Sequence, residues 1–349
     1  IREEGIYSLE KGRTFYTSNA GLKELRVEIC NYLQRRLGLE YHFNDEIIVT
    51  VGGSEAIDLA IRAMIDPGDE VLVPQPSFVS YIPCVQLAYG KPVPIELKEE
   101  NNFKLTKDEI LEKITDKTKL LVLPFPNNPT GATLDRKDLE EIAEVCIDKD
   151  IFVLSDEIYS ELTYNGEHVS IACIPGMRER TVLINGFSKA YAMTGWRIGF
   201  IAGPEWIVKA CNKLQGQYTS GPCSVSQKAA EAAYTGTQEP VKEMQKAFER
   251  RRDLIVKLAK EVPGFEVNVP QGAFYLFPKC SYFFGKSNGE RKIENSDDLA
   301  MYLLEDAHVA CVGGTSFGAP ECIRMSYATS DENIVEAIRR IKEALAKLK

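Results

Sequence analysis

Apolar residues recur every three or four positions at Leu22, Leu25, Ile29, Leu33 and Leu37, the spacing of a helix with one face on a core. Short aliphatic runs then replace that period, and residues 47–50, 70–74, 119–123, 151–155, 181–184 and 198–202 read as strands. Helical patterns stand between them, among them residues 136–148 and 205–215. Strand and helix in alternation predict an α/β fold whose sheet is mostly parallel and covered on both faces. A charged helical pattern over residues 239–261 ends that rhythm, and the segments 264–277, 297–306, 309–312 and 331–348 predict a smaller α+β unit. The domain boundary is therefore expected inside the long helix, with a large domain over residues 1–240 and a small C-terminal domain over 241–349.

Charge and composition narrow the partners. Fifty-one acidic against 42 basic side chains leave a net charge of −9, which argues against a nucleic-acid-binding surface. No apolar run approaches the roughly 20 residues that span a bilayer, and no secretory signal opens the chain, so a cytoplasmic protein without a membrane partner is expected. The nine cysteines are scattered, odd in number and free of any Cys-x-x-Cys pair, and read as reduced, mostly buried thiols. Three histidines, His42, His168 and His308, lie in separate segments and leave little material for a zinc cluster or a Ser-His-Asp triad. No metal is expected, and lysine is the favoured nucleophile.

The chemistry concentrates where strands end. Asn185-Gly186-Phe187-Ser188-Lys189-Ala190-Tyr191-Ala192-Met193-Thr194-Gly195-Trp196-Arg197-Ile198-Gly199 follows an apolar strand and sets a lysine and an arginine in a loop of small residues. A lysine that condenses with a carbonyl must be deprotonated, which a partly dry, cationic neighbourhood promotes. Gly52-Gly53-Ser54-Glu55-Ala56 follows the strand at 47–50 and opens a helix, whose free N–H groups suit a phosphate; alone, such a turn also fits mere chain reversal. Asn127-Asn128-Pro129-Thr130-Gly131 is either a proline-directed turn or a binding turn. Asp156 closes a buried strand, where a carboxylate also serves as a cap. In the strand around Arg324, alternation puts Ile323, Met325 and Tyr327 on one face and Arg324 on the other, either exposed or as a fork for a carboxylate.

Together these motifs resemble, in order, those of the class I and II aminotransferases, fold-type I pyridoxal-phosphate enzymes. The likeness runs from Tyr16 to Arg324, and even Ile1-Arg2-Glu3-Glu4-Gly5 resembles an interior stretch of that family. The resemblance implies pyridoxal 5'-phosphate as cofactor, an L-amino acid and a 2-oxo acid as substrates, and a homodimer with shared active sites. It assigns Lys189 as nucleophile and acid/base, Asp156 to the pyridinium nitrogen, and Asn128 and Tyr159 to the phenolic oxygen. Gly53, Ser54, Glu55, Ser188 and Arg197 would anchor the phosphate, Phe78 would stack on the ring, and Tyr16 would reach the neighbouring subunit's phosphate. Arg324 would hold the substrate α-carboxylate, with Asn128 beside it. Two positions depart from some relatives: Gly186 stands where a serine bonds the phosphate, and Ser54 where a lysine recognises a side-chain carboxylate. Aspartate is the leading donor on this resemblance, with aromatic or broad preference next. A pyridoxal-phosphate C–S lyase or an aminotransferase-like sensor domain are the alternatives.

Overall fold

The computed structural model describes residues 1–349. Its main sheet has seven strands: β1 (Ile47–Thr50), β2 (Glu70–Gln75), β3 (Lys91–Glu96), β4 (Thr118–Leu123), β5 (Phe152–Asp156), β6 (Thr181–Gly186) and β7 (Gly199–Ala202). The order across the sheet is β1-β7-β6-β5-β4-β2-β3. All neighbours pair in parallel except β7, which runs antiparallel between β6 and β1.

Alternation along each strand feeds two cores. Ile48, Val71, Val73, Leu120, Val122, Leu154 and Val182 face one way, against the helices Gly52–Met64 and Glu205–Tyr218. Leu72, Leu121 and Val153 face the other way, against the helix Arg136–Asp148. Ile47, Val49, Leu183 and Phe200 continue that second face under Lys23–Leu37 and Ser224–Thr235. Arg136–Asp148 keeps its predicted limits because Asp135 caps it, accepting from the backbone N–H groups of Lys137 and Asp138 while the Asp138 carboxylate reaches back.

Two features of the sheet escape the apolar pattern. β3 reads Lys-Pro-Val-Pro-Ile-Glu; it pairs only with β2, so its two prolines cost no ladder bond on the free edge. β1 lies beside β7 rather than beside β2, an arrangement periodicity alone does not reveal.

Beyond the long helix Glu239–Ala259, a second sheet of three short antiparallel strands, β8 (Tyr275–Leu276), β9 (Val312–Gly313) and β10 (Ile323–Ser326), packs with the helices Ser296–Asp306 and Asp331–Leu345. The strands are much shorter than the predicted segments, because residues 264–274 hold turns and only isolated bridges, as at Thr163 and Gly272. This core of Leu276, Leu299, Leu303, Ile323, Met325, Ile338 and Ile341 also takes in Tyr159, Leu162 and Tyr164 from the main sheet's side. Segment 268–273 is bolted to that side: Gln271 and Gly272 donate to the Gly131 carbonyl at 2.8 and 2.9 Å, and Asn268 Nδ2 donates to the Thr130 carbonyl at 2.8 Å. The nine cysteines are all free thiols, only Cys223 being exposed. No helix is long and apolar enough to cross a membrane.

Candidate active site

In a parallel sheet the loops at the carboxyl ends of the strands share one edge, and the candidate residues enter from five of them. β1 delivers Gly53 and Ser54, β2 delivers Phe78, β4 delivers Asn128, β5 delivers Asp156 and Tyr159, and β6 delivers Ser188 and Lys189. These side chains line one cavity of about 300 Å³, together with Arg197 and, from β10, Arg324.

One end of the cavity is made of backbone. Gly52 has φ +79° and an added Cβ would meet Arg197 Nη2 at 2.4 Å, so the guanidinium lies against the helix start. Gly199 leaves no room for a side chain either, since its Cβ would meet the Gly52 carbonyl carbon at 2.7 Å and the Gly53 nitrogen at 2.8 Å. At Gly186 a Cβ would meet Gly199 Cα and the Ile198 oxygen at 2.9 Å, so a serine has no space there. Arg197 itself has φ 52°, and its Nη1 donates to the Thr194 carbonyl at 3.0 Å. Helix N–H groups next to a guanidinium favour a dianion.

At the middle of the cavity Asp156 and Lys189 face each other's field. Asp156 is buried; its Oδ2 accepts from the Tyr81 hydroxyl at 2.7 Å and its Oδ1 from the Ile158 N–H at 3.2 Å. Burial pushes its carboxyl up to about 6, against the pull of those hydrogen bonds and of Lys189. The Lys189 amine is held below its ordinary value, first by burial, then by Arg324 and Arg197, with Asp156 opposing. Burial and like charges both favour the neutral amine. Its Nζ lies 5.6 Å from the Tyr159 ring centre and 5.4 Å from that of Phe274.

The far end belongs to Arg324. Its guanidinium sits between the rings of Tyr275 and Phe317, 4.5 and 4.7 Å from their centres, and its Nη1 donates to Asn128 Oδ1 at 2.9 Å. Arginine only donates, so the carbonyl oxygen of the Asn128 amide faces it and the Nδ2 hydrogens remain for another acceptor. Buried Asn127 holds the turn: its Oδ1 accepts from the Thr130 N–H and hydroxyl at 3.1 and 2.9 Å, and its Nδ2 donates to the Pro76 carbonyl at 3.3 Å.

Two expected residues stand apart from this cavity. One helical step past Ser54 turns the Glu55 side chain away, and its carboxylate accepts from the Val51 N–H and, at 2.6 Å, from the Thr219 hydroxyl. It closes the helix start and does not line the cavity. Tyr16 is 99% exposed and is not among the lining residues of its own chain. Tyr81 and Tyr275 line the cavity unannounced by any motif. Tyr81 lies three residues past Phe78, edge-on to it at 5.8 Å, and a buried tyrosine hydroxyl needs a partner; that much of a signal was present.

The geometry is that of an enzyme built around a lysine amine, a buried carboxylate and two arginines, and comparison with known proteins gives it a family. The model of the family "Aminotransferase class I and II" matches residues 1–341, and the chain belongs to that family. It is an enzyme of the transaminase type, moving an amino group between an amino acid and a 2-oxo acid. Among its relatives, an aspartate aminotransferase of Bacillus subtilis is 44% identical over 99% of this chain and 88% of its own length. A bifunctional aspartate aminotransferase and glutamate/aspartate-prephenate aminotransferase of Petunia hybrida is 46% identical over 100% of this chain and 74% of its own. The crystal structure of the aspartate aminotransferase from Rhizobium meliloti superposes with a TM-score of 0.95 at 39% identity, covering 100% of this chain and 88% of that one.

Proposed function

We propose that this cavity holds pyridoxal 5'-phosphate and that the amino donor is aspartate or an aromatic amino acid. The donor set fits the cofactor group by group: a helix start and Arg197 for a phosphate, a buried carboxylate for a ring nitrogen, two hydrogen-bond donors for a phenolic oxygen, and an amine for an aldehyde. The single observation that carries the reading is that Lys189, buried Asp156, Arg197 and Arg324 line one cavity.

When bound, the cofactor supplies an electron sink for the bond broken at the substrate's α-carbon. The protein supplies the rest. Arg324, planar and held between two rings, would grip the α-carboxylate and orient the substrate in the cavity. Lys189 Nζ, neutral and within the cavity, takes the α-proton and returns it. Asp156 keeps a proton on the ring nitrogen by holding a negative charge beside it. Asn128 Nδ2 and the Tyr159 hydroxyl donate to the phenolic oxygen, Phe78 walls the ring, and Ser188, Arg197 and the N–H groups of Gly53 and Ser54 hold the phosphate. Exposed Tyr16 serves the phosphate site of a second copy in a homodimer; regained activity on refolding Tyr16→Ala and Lys189→Ala chains together tests this. The domain division at residues 240 and 241 belongs to the same reading.

The basic side chains lining the cavity are Lys189, Arg197 and Arg324, and its aromatic walls are Phe78, Tyr81, Tyr159 and Tyr275. An aromatic aminotransferase from Pyrococcus horikoshii, 41% identical with a TM-score of 0.92 over 99% of this chain and 91% of that one, accords with such walls. A panel of amino acids with 2-oxoglutarate as acceptor tests the reading. Amino transfer led by aspartate or phenylalanine supports it, and transfer led by another class of donor overturns it. Arg324→Leu is expected to leave cofactor binding intact. Loss of one partner of a desolvated charge pair costs on the order of 2–5 kcal/mol, or about 30- to several-thousand-fold in kcat/KM. Lost cofactor affinity with normal amino-acid kinetics would move Arg324 to the phosphate site.

A further inference from the structure

Tyr275 touches both halves of the site. It lies on β8, opposite Ser326 of β10, and is buried. Its hydroxyl oxygen is 3.0 Å from that of Tyr159, with the two rings edge-on at 5.9 Å. The face of its ring lies 4.5 Å from the Arg324 guanidinium carbon. Arg324 in turn donates to Asn128. Both groups directed at the phenolic oxygen therefore lead to Arg324, Asn128 by a hydrogen bond and Tyr159 through Tyr275.

The direction of the tyrosine pair follows from proton counting. A tyrosine hydroxyl has one proton and two lone pairs. If Tyr159 gave its proton to Tyr275, it would have none for a cofactor oxygen. If Tyr275 donates instead, the Tyr159 proton stays available, and a hydroxyl that accepts one hydrogen bond is a stronger donor of the next. Burial holds Tyr159 well above the ordinary phenol range, so that proton is kept. The other charged groups facing the pair are Asp156, Lys189 and Arg324. Arg324 has no acceptor and meets Tyr275 only through the ring face, so it does not compete for the Tyr275 hydroxyl.

We propose that Tyr275 is a positioning residue with two separable tasks: its hydroxyl donates to Tyr159 and aims the Tyr159 proton at the cofactor, while its ring is the platform that orients Arg324 for the substrate carboxylate. This rests on the roles given above to Tyr159 and Arg324.

Two variants of the holoenzyme separate the tasks. Tyr275→Phe keeps the platform and removes the hydroxyl. A weaker Tyr159 donor stabilises the deprotonated chromophore less, so the pH midpoint of the bound cofactor's absorption change should rise by about 0.5–1, kcat should fall about 5-fold, and the KM for the amino donor should stay within about 2-fold. Tyr275→Leu, or Tyr275→Met should the leucine variant not fold, removes the platform as well and should add a rise of about 5- to 30-fold in that KM. A purely structural role would not split the two readouts. A native midpoint in Tyr275→Phe overturns the hydroxyl's task, and equal KM values in the two variants overturn the platform's. Tyr159→Phe and Arg324→Leu, measured in parallel, distinguish the sources of failure. If Tyr159→Phe raises the midpoint and Tyr275→Phe does not, Tyr275 is wrongly assigned. If Tyr159→Phe leaves the midpoint native, the role of Tyr159 fails and the proposal falls with it.

Discussion

Lys189→Ala is expected to abolish transamination while leaving a folded protein that still binds pyridoxal phosphate. Lys189 is the one amine in the cavity, and burial and the two neighbouring arginines hold it below its ordinary value. General acid–base catalysis alone contributes about 10²–10⁴-fold, and loss of the covalent attachment adds to it, so a fall of about four orders of magnitude or more in kcat is the expectation. Borohydride provides the chemical check. Treatment of the native holoenzyme should leave the reduced cofactor on the peptide that contains Lys189, and treatment of the variant should leave no covalent label. A label on any other lysine overturns the assignment.

Asp156→Asn should be nearly as damaging to turnover and should have the opposite effect on the empty protein. The asparagine keeps the shape and an acceptor for the Tyr81 hydroxyl, but it carries no charge to hold a proton on a ring nitrogen. Removal of one preorganised electrostatic partner in a desolvated site costs roughly two orders of magnitude or more in kcat. In the apoprotein, burial raises the Asp156 carboxyl from 3.8 to about 6. The neutral form is therefore the one the fold prefers. Its stabilising contribution is complete below about pH 4 and is lost as pH rises through about 6, which leaves a cost on the order of 3 kcal/mol at neutral pH. The variant lacks this titration, so its apoprotein should melt above the native one at pH 7.5 and the gap should close toward pH 4. Near-native turnover would refute the catalytic role, and parallel melting curves at all pH values would refute the burial cost.

Much of this was legible in the chain before folding, for reasons that differ between elements. Strands β4, β5 and β6 are buried on both faces and so appear as unbroken apolar runs, and the helix Arg136–Asp148 announces its start through a capping aspartate. The residues at those strand ends sit in local motifs, which is why Asn128, Asp156 and Lys189 could be named together. Tyr275 and Phe317 could not. Their contribution is to Arg324, and it exists only because β8, the turn Thr315–Phe317 and β10 converge. Nothing within a few residues of Tyr275 announces a bond to Tyr159, 116 positions earlier. Glu55 shows the converse: the motif names the stretch, and the helix turns that one side chain toward Val51 and Thr219.

The close contact of Gly52, Gly186 and Gly199 bears on how such an enzyme changes its preference. At these three glycines backbone lies against backbone, and there is no volume in which to add a side chain. Those three positions are closed to retuning by point substitution. Retuning is thereby left to the side chains around them, such as Ser54 at that end and Tyr275 on the smaller sheet. The glycines hold that end to one backbone geometry, whatever side chains around it are exchanged.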